Sequence, residues 1–175
     1  MDSNQRGFAL LDLIFVAGII ALLSSIALPR LTLAKSTAGS ASAIASMRAI
    51  TSAELSYALT CGAGFYAPTL TVLGTPPAGS NDAFIGGGLG AAAAVTKSGY
   101  IVQVAATPFA GSPASCNGLG VGGGGQGYKA GANPVDLQNP RFFATNANGL
   151  IWEHTATLFS TMPEAGDPLI GHPLR

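Results

Sequence analysis

Apolar and polar positions are distributed unevenly along this chain. From Phe8 to Pro29 it reads FALLDLIFVAGIIALLSSIALP, with Asp12 as the only charge. From Leu13 to Leu28 there is no charge, and Gly18 is the only turn former. As a helix, Phe8 to Leu28 covers about 21 residues and ~32 Å, enough to cross a bilayer. From Leu31 to Thr60 there is no proline and Gly39 is the only glycine, while Ile44, Met47, Ile50, Leu55 and Leu59 recur at loosely helical intervals. The pattern predicts one long helix from about Phe8 to Thr60, apolar all round in its first half and amphipathic in its second. Pro29 removes one helix hydrogen bond and is expected to kink the rod. Cys61-Gly62-Ala63-Gly64 ends it, with glycine placed as a C-cap.

Beyond the helix the periodicity shortens. Phe65 to Ser80 is a Pro- and Gly-rich loop, and Asn81 or Asp82 is expected to cap a helix through Ala91–Val95. Alternation then predicts strands at Tyr100–Ala106, Arg141–Thr145 and Leu150–Thr155, with a further short strand around Gly127–Ala130. Asn146-Ala147-Asn148-Gly149 reads as a hairpin turn. These elements predict an α+β fold, in which an antiparallel sheet of three or four strands covers the second half of the helix. The proline-bearing tail from Met162 is expected to be extended and surface-lying.

Composition narrows the function. Of 175 residues only 9% are charged, and the formal net charge is zero. A neutral chain lacks the basic surface that nucleic acid requires. A four-ligand zinc site would consume both cysteines and both histidines, which are widely scattered. Ala83–Ala94 carries G-x-G-x-x-A and Gly118–Gly123 reads G-x-G-x-x-G, but neither has the flanking strand, helix and acid of a dinucleotide site. Both read as loop or packing glycines. Glu153 and His154 are strand neighbours that point to opposite faces, so they suit a cross-strand polar contact and a surface group better than a catalytic pair. Trp152 reads as core and His172 as solvated. No serine sits in a G-x-S-x-G elbow. The expectation is a protein with no catalytic residues and no cofactor.

The amino-terminal segment differs from an ordinary secretory signal, because its small residues are followed by Pro29 and more helix rather than by an evident cleavage site. Asp12 stands out: a carboxylate in a spanning helix costs up to ~3 kcal/mol, less near the end. Arg6-Gly7-Phe8-Ala9-Leu10-Leu11-Asp12-Leu13 resembles the processing site of type IV prepilins and type II secretion pseudopilins. Residues 47–74 also resemble the region after the spanning helix in some bacterial pilin-like proteins. The resemblance implies cleavage between Gly7 and Phe8 by a prepilin peptidase that also methylates the new terminus. It makes Asp12 the fifth mature residue, where the family usually has Glu, and Pro29 the twenty-second. Asp keeps the charge on a side chain one methylene shorter. The implied role of this acid is to neutralise the amine of a neighbouring subunit, each group being costly to bury alone.

By this resemblance 1–7 is a leader, 8–29 a transmembrane and filament-core helix, 30–60 its amphipathic continuation and 61–175 a globular head of pilin-like α+β architecture. The implied function is that of a structural subunit of a type IV pilus or type II secretion pseudopilus. Its partners would be the peptidase, identical or homologous subunits and an inner-membrane assembly platform. The precursor would sit in the inner membrane with its head in the periplasm. The alternative is a bitopic, exported binding module that does not polymerise. Ala17, Ala21 and Ser25, and then Ala41, Ala45, Ala49 and Ala53, recur every four residues. Such stripes let helices approach closely, although alanine is also simply a good helix former. Cys61 and Cys116 bracket 54 residues. An oxidising compartment favours a bridge worth up to ~4 kcal/mol, and two free buried thiols are the other reading.

Overall fold

A computed structural model describes residues 5–86, 88–137 and 140–174, and of 5–9 and 26–29 it describes the backbone only. The chain divides into two compact units, Met1–Ala38 and Gly39–Arg175. Helix α1 spans Gln5–Thr60. It continues through Pro29, although that residue has no N–H to offer the carbonyl one turn back. At its end Gly64 N–H bonds back to Ala58 O at 2.8 Å, and the left-handed residues are Ala63 (φ 51°) and Gly64 (φ 92°). Gly62 serves a different purpose, since a Cβ there would lie 2.7 Å from the Tyr57 ring.

The second unit contains a single antiparallel meander in strand order β1-β2-β3-β4-β5-β6: Ala94–Lys97, Tyr100–Ala105, Lys129–Pro134, Phe142–Asn146, Ile151–His154 and His172–Pro173. Ala43, Met47, Ile50, Ala53 and Tyr57 of α1, with Cys61 just past its end, are buried in one core with Tyr100, Val102, Val104, Ala130, Ala132 and Phe143 of the sheet. Their spacing of three and four keeps them on one helix stripe, while alternation on β2 leaves Ile101 outside. All five residues of β4 are buried. Phe143 faces α1, and Ala144 meets Leu158, Met162 and Trp152 on the other side.

The fold is therefore α+β, with three departures from expectation. The alanine run does not form a helix: Leu89–Ala91 is one 3-10 turn and Ala94–Lys97 pairs with β2. Ser98 (φ 50°) and Gly99 (φ 81°) supply the two left-handed positions of a tight hairpin turn, and pairing outweighs alanine's helix preference. Among the described residues the sheet has six strands rather than three or four. The tail also returns to the sheet: Met162 is buried, and Glu153 and Trp152 pair with His172 and Pro173. The hairpin turn holds this return in place, because Asn146 Nδ2 donates to Pro163 O and Gly166 O at 3.0 and 2.6 Å.

Gly90 is a packing glycine. Helix α2 (Leu70–Leu73), capped by Thr69, ends at Gly74, and a Cβ on Gly74 would lie 2.6 Å from Gly90 Cα. Gly74 has φ −79°, so alanine there tests the close approach alone. Gly74→Ala is expected to cost about 2 kcal/mol in chemical denaturation, and an unchanged midpoint would contradict the contact.

Candidate functional site

The first unit presents apolar side chains on every side of α1. From Leu10 to Ser25 each side chain is exposed, with Leu11 at 72% and Leu22 at 71%. A helix apolar all round requires a membrane or protein neighbours. This helix is long and apolar enough to cross a membrane. Asp12 is exposed within this surface, four residues after Phe8 and so one turn along the helix. Among the described side chains it has no ion-pair partner. Gly7, Phe8 and Pro29 lie in the α1 backbone, but their side chains fall outside the described ones, and the leader's Met1–Asn4 lies outside the described residues altogether.

Ala17, Ala21 and Ser25 are exposed on α1. The second stripe divides: Ala41, Ala45 and Ala49 are exposed, and Ala53 is buried. Four residues advance a helix by more than one full turn, so a four-residue repeat drifts around the axis and by its fourth member reaches the head-facing side. Ala41, Ala45 and Ala49 thus leave a face of small side chains uncovered by the head.

Cys61 and Cys116 form a disulfide with Cα atoms 4.9 Å apart. The bridge joins the end of α1 to the long β2–β3 connection. Asn117 Nδ2, beside it, donates to Val72 O and Thr75 O at 2.7 and 3.1 Å. About two helical turns before the bridge lies a residue that the sequence reading passed over. Glu54 is fully buried, its Oε2 accepts the Ala67 N–H at 2.9 Å, and its Oε1 has no hydrogen-bonding partner among the described residues. Burial raises its carboxyl to about 8, the Ala67 amide offsetting only part of that. The hydroxyl of Tyr128 is likewise pushed up to about 12 by burial, and that of Tyr57 is raised for the same reason. The signal was present in the spacing: Met47, Ile50, Tyr57 and Cys61 mark the core stripe, and position 54 falls on it.

Elsewhere the polar groups serve the fold. Arg141 donates from Nε and Nη2 to the two carboxylate oxygens of Glu153, the latter at 2.9 Å, and this bond holds the carboxyl below its usual range. The Gly118–Gly123 segment lies in the β2–β3 connection, with Gly118 and Gly122 at positive φ. The Ala83–Ala94 segment leads into the 3-10 turn and β1. Among the described residues no three His, Cys, Asp or Glu side chains gather at one point. No family model, no curated protein and no solved structure matches this chain.

Proposed function

We propose that this chain is a filament subunit of the type IV pilin or type II secretion pseudopilin kind, cleaved between Gly7 and Phe8 and polymerised through its amino-terminal helix. The observation that carries the reading is the helix itself. Its first half exposes apolar side chains all round with one acid, Asp12, one turn after the Gly7–Phe8 junction. A bilayer accommodates that surface before assembly, and a bundle of like helices accommodates it afterwards. In the bundle the new amine at Phe8 and the Asp12 carboxylate of a neighbour neutralise each other, which removes the cost of burying either alone. The exposed small residues Ala17, Ala21 and Ser25, and further along Ala41, Ala45 and Ala49, let helix backbones approach.

The head forms the outer surface of such a filament. With few charges to pair, its contacts rest on loop complementarity and apolar burial. The partners are a prepilin peptidase with methyltransferase activity, further subunits and an inner-membrane assembly platform. The precursor resides in the inner membrane with its head outside the cytoplasm.

A photo-crosslinking side chain at Ile19 tests the polymer directly in the native cell. A ladder of dimers and higher multimers is expected. Adducts to lipid alone would favour a solitary membrane anchor that carries an exported binding module.

A further inference from the structure

Among the described residues Glu54 is the one acid in the core of the head, and it ties α1 to the loop that follows it. About two helical turns beyond it, just past the end of α1, Cys61 begins the disulfide, and the Oε2 of Glu54 holds the amide of Ala67 in the returning loop. The next residue back, Tyr66, bridges to Gly125 of the β2–β3 connection, with Tyr66 N–H to Gly125 O at 2.9 Å and Gly125 N–H to Tyr66 O at 3.0 Å. The ionisable groups that face the carboxyl are hydroxyls: Tyr57 from α1 itself, and Tyr128 from the segment entering β3. Tyr66 from the loop packs on Tyr128 with ring centroids 5.1 Å apart. Among the described residues no Lys, Arg or His offsets the burial of Glu54. A carboxylate there would be buried with one amide hydrogen bond and no counter-charge, whereas a carboxylic acid is neutral and loses little.

We propose that Glu54 is a proton-dependent catch: protonated, it holds the loop around Ala67 against the end of α1, and on losing its proton it releases that loop while the sheet stays folded. The inference does not depend on how the chain assembles. The direction with pH follows from linkage. A carboxyl raised in the closed state to about 8 keeps its proton there, while in the opened loop it returns to the ordinary glutamate value of 4.5. Closing therefore takes up a proton in the interval between those values. The catch is at full strength in acid below the lower value, weakens steadily as pH rises, and levels off above the upper one.

The test is hydrogen exchange of the full chain in detergent micelles, following the peptide over residues 62–69 against one covering β4, for wild type and Glu54→Gln under identical conditions. The amide of Gln keeps the acceptor for Ala67 and cannot ionise. Between about pH 5 and pH 8 the opening of 62–69 in wild type, relative to the variant, is expected to rise by between two and three orders of magnitude, roughly 400-fold. The β4 peptide should change far less. Equal pH profiles for wild type and variant would overturn the proposal. So would parallel loss of protection in β4, which would make the proton a global stabiliser rather than a local catch. A second reading needs no variant: the side-chain carbon resonance of Glu54 in wild type should titrate near 8, and a midpoint near 4.5 would overturn the proposal too.

Discussion

Replacing Cys61 and Cys116 together by serine is expected to lower the stability of the head by about 4 kcal/mol, since the bridge closes a loop of sequence separation 55. For a unit of this size that corresponds to a melting temperature lower by about 10–20 °C. The loss is a large share of the roughly 5–15 kcal/mol by which domains are stable at all. Position as well as loop length supports the magnitude. The bridge fastens the β2–β3 connection to the end of α1, and little regular structure lies between β2 and β3 to hold that connection otherwise. Backbone bonds beside it, such as Cys116 N–H to Cys61 O at 3.3 Å and Ala78 N–H to Cys116 O at 3.4 Å, depend on the same closure. Denaturation of the full chain in detergent, with and without reductant, reads the effect. A serine pair within about 1 kcal/mol of wild type would mean that the loop is held by its other contacts.

Asp12→Ala is expected to abolish filament recovery while leaving the subunit in the membrane and cut between Gly7 and Phe8. On the proposed reading each subunit contact loses a carboxylate opposite a buried amine. Leaving one partner of a buried pair alone shifts an association equilibrium by about two orders of magnitude or more, repeated at every contact. Asp12→Glu keeps the charge and reaches one methylene further, so it should assemble at least as well as wild type. Surface-sheared and membrane fractions, quantified by immunoblot, separate the outcomes. An alanine variant that shears off at wild-type yield would remove Asp12 from assembly. A variant missing from both fractions would point to lost insertion instead.

The long helix was legible because its two halves follow simple rules. The first is apolar without interruption, and the second carries a three-four stripe with no proline. Strands β2, β4 and β5 were legible from alternation, and Asn146–Gly149 from its turn residues. Strand β1 was hidden because Ala91–Val95 favours a helix locally, and only pairing with β2 across the Ser98-Gly99 turn makes it a strand. Strand β3, expected only around Gly127–Ala130, spans Lys129–Pro134: it carries glycine and proline, poor strand formers, and is held between two better strands. Gly131 within it lies where a Cβ would sit 2.8 Å from Phe159, a constraint visible only once the chain has folded back. The tail's return depends on carbonyls of Pro163 and Gly166 reached by Asn146, a contact across the fold that no local pattern announces.

The candidate site divides in the same way. Gly7, Phe8, Asp12 and Pro29 are a matter of spacing along one helix, and spacing is what a sequence displays. Glu54 is a matter of depth. A lone acid in SAELSY looks like any solvated helix residue until the stripe of Met47, Ile50 and Tyr57 is traced through it. The partition of the alanine stripe, with Ala53 buried and its predecessors exposed, arises from the same mismatch between a four-residue repeat and the helical turn.

The central claim is processing followed by polymerisation, and the intact mass of the protein from membrane and sheared-surface fractions of its native cell tests it most directly. The account predicts a chain that begins at Phe8, carries one added methyl group and is present in the sheared fraction. A chain that begins at Met1 without modification and stays in the membrane would contradict it, leaving an exported head on a plain anchor.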